Sequence, residues 1–268
     1  MLSPIAQRDN IGSLISFKKP AYWDKLLFCQ KIKYYGGVLT KEYSNYVDKL
    51  KAKDIVKKIC GDEIEVSPVI KILKNIKDLK QEDLDINHII KGAHGSKYNI
   101  NIKDNTTLSE CFKKLESFNI KYNPHGGELQ YLHLSPSFFI EEKVDDFYVG
   151  KTGNATVFMI RCIYGKPVSI GITYTDQKDS YMNNYYIDWK PIKETIPIYI
   201  DIEDIRNDVD KMIKLACMLS QNFEFVRVDF YLSRDRKIYF SEFTFTPAAG
   251  GMVYPSKEVE YELGKSWI

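Results

Sequence analysis

Two short stretches near the C-terminus constrain this chain more than anything else in it. They read Phe225-Val-Arg-Val-Asp229-Phe-Tyr231 and Ile238-Tyr-Phe-Ser-Glu242-Phe-Thr-Phe-Thr-Pro247. Side chains alternate across a strand with period two. Arg227, Asp229 and Tyr231 therefore share one face of the first strand, and Val226, Val228 and Phe230 share the other. On the second strand Glu242, Thr244 and Thr246 face one way, while Phe243 and Phe245 face the other. The intervening Ser233-Arg-Asp-Arg-Lys237 suits a hairpin loop. Closing that hairpin sets Asp229 beside Glu242. Mg²⁺ takes one or two carboxylates and completes its octahedron with phosphate oxygens and water. Asp229 and Glu242, with Thr244 as an auxiliary oxygen, fit that chemistry, and Arg227 suits a transferring phosphoryl group. The same spacing also fits a cross-strand ion pair of Arg227 and Glu242 on a solvated sheet face.

The remaining sequence supplies the elements around this hairpin. The pattern predicts helices over 23–33, 41–60, 107–118 and 201–222, with Gly61 as a C-cap. It predicts strands over 85–91, 98–102, 137–144, 156–164 and 167–174, the last two joined by a turn at Tyr164-Gly-Lys-Pro167. Residues 176–197 are polar, Tyr-rich and Pro-bounded, and read as a loop. The mixture is α+β and mostly antiparallel toward the C-terminus. With 268 residues, 44% apolar and 28% charged, the chain has enough length for a substantial core. A net charge of +2 gives no bulk electrostatic case for nucleic acid. No run approaches the ~20 apolar residues of a membrane span, and no signal-peptide core is visible, so a cytoplasmic location is expected. The five cysteines and four histidines show no metal-ligand spacing.

Several further residues are candidates on their own pattern. Lys91-Gly-Ala-His-Gly-Ser96 follows a predicted strand, and backbone amides in such a turn cradle phosphate, although an ordinary loop reads the same way. His94 is either a phosphate donor there or a plain loop histidine. Lys53 sits in a lysine-rich helix and reads as a solvated lysine. Arg161 lies inside the apolar run Val157-Phe-Met-Ile-Arg-Cys-Ile163, where a charge needs a partner or a ligand. Glu141 and Glu142 end a buried strand, and one of them fits an exposed edge.

Taken in order, these motifs resemble the ATP-grasp superfamily, and within it the teichuronopeptide-biosynthesis (TupA-like) branch. The resemblance runs from about residue 48 to 264. It is carried by Asp48-Lys-Leu-Lys-Ala-Lys53, Ile90-Lys-Gly-Ala-His-Gly-Ser96, Glu128-Leu-Gln-Tyr131 with Pro136, Ile140-Glu-Glu142, Cys162-Ile-Tyr-Gly-Lys-Pro167, Val226-Arg-Val-Asp-Phe-Tyr231, Phe240-Ser-Glu-Phe-Thr-Phe-Thr-Pro247 and Leu263-Gly264. It implies two α+β subdomains clasping ATP, with a lid and hinge over 41–144, a metal-bearing subdomain over 145–268, and an unassigned extension over 1–40. It implies that Lys53 and Lys91 hold ATP phosphates and that His94, Gly95 and Ser96 cover them. Glu141, Glu142, Lys143 and Val144 would form the hinge that receives adenine. Asp229, Glu242 and Thr244 would hold Mg²⁺, with Arg227 beside the metal. The chain departs from the family's Asn-His-Gly-Ser-Gly lid loop at Ala93 and Lys97. The family's strand lysine is replaced by Met159, and Arg161, which points the same way, takes its catalytic place. Glu260 stands where the family tends to have aspartate.

The activity the resemblance implies is ATP- and Mg²⁺-dependent joining of a carboxylate to an amine through an acylphosphate. The expected acid is a sugar carboxylate such as a uronic acid, in capsular or cell-surface polysaccharide synthesis. The amine expected is an amino acid or small amino alcohol, met near residues 176–197 and 246–251. Phosphoryl transfer to a hydroxyl and a non-catalytic nucleotide-binding module are the alternatives. Oligomeric state is not readable from the sequence.

Overall fold

The computed structural model describes residues 17–122, 127–151, 153–176, 179–192, 200–254 and 256–268. Its larger sheet has six strands: β1 (Glu65–Val66), β6 (Val157–Ile163), β7 (Lys166–Asp176), β8 (Asp179–Tyr186), β9 (Phe225–Leu232) and β10 (Ile238–Thr244). Their order is β1-β10-β9-β6-β7-β8, with β1 parallel to β10 and every other pairing antiparallel. One face is continuously apolar: Phe158, Ile160, Val226, Val228 and Phe230 are all fully buried. Helix α5 (Ile202–Leu219), capped by Asp201 through the Glu203 amide, packs its Ile205, Val209 and Met212 into the same core. The opposite face carries Arg161, Arg227, Asp229 and Glu242.

The hairpin closes as its turn residues demand. Ser233 N donates to Lys237 O at 3.0 Å, and Arg236 takes a left-handed φ of 63°. Strand β10 is not regular, however. A bulge between Phe240 and Glu242 makes Ser241 an extra residue. Strict alternation would put Phe240 and Glu242 on one face. The bulge returns both Phe240 and Phe243 to the core and leaves Glu242 opposite Asp229.

A smaller sheet, ordered β2-β5-β3-β4, is built from β2 (Val69–Leu73), β3 (His88–Gly92), β4 (Asn99–Asn101) and β5 (Phe138–Glu142). Helix α4 (Leu108–Phe118) covers it, started by a reciprocal cap between Thr107 and Glu110. Leu73, Ile90, Ile100, Cys111, Leu115 and Ile140 belong to this separate core.

The boundaries differ from those expected. The smaller body begins at β2, not at residue 41. The stretch 41–60 is not one helix: α2 (Ser44–Val47) stops at Asp48, whose carboxylate caps the new helix α3 (Lys49–Cys60) through the Leu50 and Lys51 amides. Gly61, at φ 59°, ends α3 as predicted. Ala52, Val56 and Cys60 of α3 pack into the larger core. Residues 17–40 are likewise core rather than an extension. A short turn at Trp23–Lys25 leads into α1 (Phe28–Gly36), which buries Phe28, Ile32 and Tyr35 against α6 (Lys257–Lys265) and the C-terminus. Trp23 Nε1 donates to Trp267 O at 2.7 Å, and Gly264 lets the Leu26–Phe28 backbone approach closely. Finally, the supposed loop 176–197 contains β8. It is held by β7 and by stacking of Tyr174 on Tyr181, with Asn183 and Asn184 buried. Residues 177–178 and 193–197 lie outside the described region.

Candidate active site

The two sheets face each other across a cleft, and the buried charges Glu141, Arg161 and Asp229 gather there. Glu141 on β5 is 3% exposed. Its two carboxylate oxygens each take one lysine at 2.5 Å, Lys53 from α3 and Lys91 from β3. Lys53 also donates to Ser67 O at 2.5 Å. Burial pushes the Glu141 carboxyl up, but the two ammoniums outweigh it and hold the group below its ordinary range. Burial would lower Lys91, yet Glu141 and Tyr231 keep its ammonium charged above the usual lysine range. Glu142, the next residue, points outward and is exposed.

Across the cleft, Arg227 donates to both oxygens of Asp229, at 2.7 and 2.6 Å. Its Nη2 also donates to Thr244 Oγ1 at 3.2 Å, and Thr244 in turn donates to Glu242 Oε1 at 3.2 Å. Glu242 lies 3.9 Å from Arg227 and 3.7 Å from Lys49. The expected alternative, a simple Arg227–Glu242 pair on a solvated face, is not the main contact: Arg227 is bonded to both oxygens of Asp229, which is 2% exposed, and reaches Glu242 only at 3.9 Å. Burial is the main force pushing Asp229 up to about 6; Arg227 opposes it and Glu242 adds to it. Glu242 is held below the carboxylate norm, because Lys49 and Arg227 outweigh its desolvation.

The cleft is continuous from end to end. An inner hollow of about 270 Å³ is lined by Lys49, Lys91, Ser96, Arg227, Asp229 and Glu242. It shares Lys91 and Tyr231 with a middle hollow, which runs out past Glu142, Lys143 and Val144. These three residues also line an outer hollow of about 470 Å³ with Ser67, Arg234 and Tyr239. The Lys143 ammonium itself is bound by the carbonyls of Ile86 and Ile102, both at 2.7 Å.

Comparison with protein families gives a match to the TupA-like ATPgrasp model over residues 29–268. The chain belongs to the TupA-like ATP-grasp family. Solved structures similar to this TupA-like chain include an L-amino acid ligase from Bacillus licheniformis, at 17% identity and a TM-score of 0.48, covering 77% of this chain and 44% of that one. The D-alanine–D-alanine ligase of Helicobacter pylori matches at 13% identity, TM-score 0.44, over 83% of this chain and 61% of that one. That of Bacillus anthracis in complex with ATP matches at 18% identity, TM-score 0.42, over 80% and 65%. The TupA-like chain thus spans less than two thirds of each. A comparison with curated protein sequences gives no significant match. No helix among the described residues is long and apolar enough to cross a membrane.

The donor set of this ATP-grasp chain fits Mg²⁺ held jointly with phosphate. Among the described residues no group of three or more acidic, histidine or cysteine side chains could hold a metal ion alone. Asp229, Glu242 and Thr244 supply two carboxylates and a hydroxyl, the share Mg²⁺ takes from protein when phosphates supply the rest. Around them Lys49, Lys53, Lys91, Arg161 and Arg227 face Asp229, Glu242 and Glu141, an excess of two positive charges. Such a cleft attracts a polyanion.

The loop at residues 92–97, expected to cover phosphate, departs from that expectation at His94. The ring is 1% exposed and turned away from the cleft. Its Nδ1 meets Ser137 and its Nε2 meets Phe118 O at 3.0 Å, so both nitrogens serve backbone groups. His94 therefore shapes the loop and is not positioned to touch phosphate. Gly95 is required by close approach: a Cβ there would sit 2.7 Å from Tyr122 and 2.8 Å from Tyr98. Lys97 takes φ 62°, the left-handed region that the family's usual glycine enters freely. Ser96 lines the inner hollow.

Arg161 stands directly opposite Arg227 in the β6–β9 register, on the cleft face of the sheet. It is 1% exposed, donates to Asn184 Oδ1 at 3.1 Å and lies over Tyr254 at 5.1 Å. Its Nε has no partner among the described residues. The sequence reading missed Lys49, which donates to Gly95 O at 2.7 Å and so ties the lid loop to the Glu242 side. The signal was present: Lys49 and Lys53 are four residues apart, on one face of a helix.

Proposed function

We propose that this chain is an ATP- and Mg²⁺-dependent carboxylate–amine ligase. The observation that carries the reading is the pairing of a two-lysine clamp on Glu141 with the Arg227–Asp229–Glu242–Thr244 floor across one cleft. In this reading adenine lies toward the hinge of Glu142, Lys143 and Val144. Lys53 and Lys91 hold the phosphates, and Ser96 closes over them. Asp229, Glu242 and Thr244 hold Mg²⁺, which screens the charge of the phosphoryl group in transfer. Arg227 and Arg161 neutralise the remainder, Arg227 through the guanidinium nitrogen that Asp229 does not take. The acid's carboxylate oxygen attacks the γ-phosphorus, and ADP leaves. The amine nitrogen then attacks the acyl carbon, the acyl C–O bond breaks, phosphate leaves carrying the former carboxylate oxygen, and the nitrogen gives up a proton to become the amide. Replacing a carboxylate oxygen by phosphate is what makes the acid electrophilic, so no nucleophilic triad is needed.

The acid in this reading is a sugar carboxylate such as a uronic acid, and the product belongs to a cell-surface polysaccharide made in the cytoplasm. Family resemblance supports that finer assignment. ADP release in the presence of uronic acids and amines tests it, with mass spectrometry of the product. An amide with free phosphate supports ligation, whereas a stable phosphate ester assigns the site to hydroxyl phosphorylation. Asp229→Asn and Glu242→Gln are expected to lose at least about a hundredfold in turnover, typical of removing transition-state charge stabilisation. Unchanged turnover in both would remove the metal assignment.

A further inference from the structure

A second polar cluster lies just beyond the metal floor, and the reaction above makes no use of it. Thr246 is two residues past Thr244, at most about 7 Å further along an extended chain. Its Oγ1 accepts from Gln130 Nε2 at 2.8 Å and donates to Glu128 Oε1 at 2.6 Å. Hydrogens thus run in one direction, from amide to hydroxyl to carboxylate. What is left over is acceptors. Gln130 is fully buried, and among the described residues its Oε1 has no partner. Glu128 is 9% exposed, and among the described residues no lysine, arginine or histidine pairs with it. Two phenols flank the cluster: Tyr122 and Tyr131 meet at 4.9 Å. Tyr131 is near enough to feel the charges of both Glu128 and Glu242.

A buried carboxylate with one hydrogen bond and no counter-charge is strongly unfavourable, and an orphaned amide oxygen beside it adds to the penalty. A group that donates more than one hydrogen and carries positive charge satisfies both acceptors and balances an ionised Glu128. An ammonium has three N–H donors and no lone pair. Aromatic faces beside the carboxylate favour the same ion. Water can donate to both acceptors but brings no positive charge to balance Glu128, and an anion is repelled.

We infer that Glu128, Gln130 and Thr246 form a receptor for an organic ammonium, the protonated amine of the acceptor substrate. Its role as a reactant rests on the proposed ligase function and has one proton pass from the ammonium to the Glu128 carboxylate, which frees the nitrogen lone pair for attack; cation binding stands without it.

The test titrates ethylammonium chloride into the full chain, against sodium chloride at equal ionic strength, and follows melting temperature and tyrosine fluorescence. Wild type shows a saturable response to ethylammonium. Glu128→Gln keeps the shape and removes the charge, and raises the apparent Kd at least about tenfold, as loss of one charge-assisted hydrogen bond does. Gln130→Met retains the carboxylate and gives a smaller rise, which keeps the test decisive if the first variant folds poorly. No saturable response in wild type, or an equal one in Glu128→Gln, overturns the inference; the latter is the result expected if a proton on Glu128 satisfies Gln130. In turnover, Glu128→Gln raises the KM for the amine and leaves the KM for ATP unchanged. Trapping with hydroxylamine tests the ligase reading separately: wild type that binds ethylammonium but forms no hydroxamate loses the ligase reading and keeps the cation site.

Discussion

Glu141→Gln isolates the lysine clamp. The substitution keeps the volume of a side chain that is 3% exposed and removes the only charge shared by Lys53 and Lys91 at 2.5 Å each. A glutamine oxygen can accept from one lysine, but its amide then points donors at the other. Lys53 retains Ser67 O, while Lys91 is left facing the Tyr231 ring at 5.8 Å. Breaking a buried ion pair from one side costs about 3–5 kcal/mol. The loss has a ceiling, because a lysine can shed its proton. From an ordinary value near 10.4 to pH 7, that step costs about 4.6 kcal/mol. The expected loss at pH 7 is therefore about 3–5 kcal/mol, measured as the shift in urea unfolding at unchanged m-value.

Its pH dependence follows from the directions of the shifts. Lys91 is raised in the fold, so its contribution is complete below the ordinary lysine pKa and fades as pH climbs through the folded value. Glu141 is depressed, so its contribution is complete above the ordinary glutamate pKa and is lost as pH falls through the folded one. In the variant the uncompensated lysine is depressed, and that protein gains stability as pH rises toward 10. The difference between wild type and variant is thus widest from about pH 5 to 8 and narrows above about 9. ATP restores anionic charge to the clamp and raises the melting temperature of the variant more than that of wild type. A loss below about 1 kcal/mol at pH 7, or one that stays constant from pH 7 to 10.5, refutes the clamp as described.

Three other outcomes follow from the packing. Trp267→Ala removes a fully buried ring that stacks on Phe225 at 5.3 Å and meets Trp23 at 5.4 Å. It should cost about 3–5 kcal/mol in urea unfolding, with Trp23 fluorescence reporting release of the N-terminal segment. Gly171→Val adds atoms where a Cβ alone would stand 3.0 Å from Met159 Cε and 3.1 Å from Arg161 Nη1. The expected result is about 1–3 kcal/mol of destabilisation together with a fall in kcat/KM, because the Arg161–Asn184 contact is forced apart. Lys31, whose ammonium serves the carbonyls of Gly264 and Trp267, is held at about 8 by burial against an ordinary 10.5. The unfolded chain binds the extra proton between those values, so the stability of wild type relative to Lys31→Met should rise from pH 8 to 10.5.

What the sequence made legible was whatever a local period encodes. Alternation in Phe225–Leu232 placed Arg227 and Asp229 on one face because Val226, Val228 and Phe230 fill the other, and the fold keeps that division. Alternation failed one strand over, where the Ser241 bulge brings Phe240 and Phe243 to the same core, a choice made by the neighbouring strand and not by the residues themselves. The segment 17–40 was opaque for a related reason: Trp23, Phe28 and Tyr35 make sense only against Trp267, more than two hundred positions away. The lid loop shows the finer limit. Gly95 and Lys97 are explained by backbone conformation and close approach, whereas His94 could be read as facing phosphate until Ser137 and Phe118 were seen to occupy its ring. Glu141 and Glu142 make the same point across a single peptide bond. Adjacent in sequence, they point to opposite sides of β5, so one binds two lysines deep in the cleft and the other opens on its rim. A motif locates such a pair, but the direction of each side chain assigns its chemistry, and in a strand that direction is set by the partner on either side.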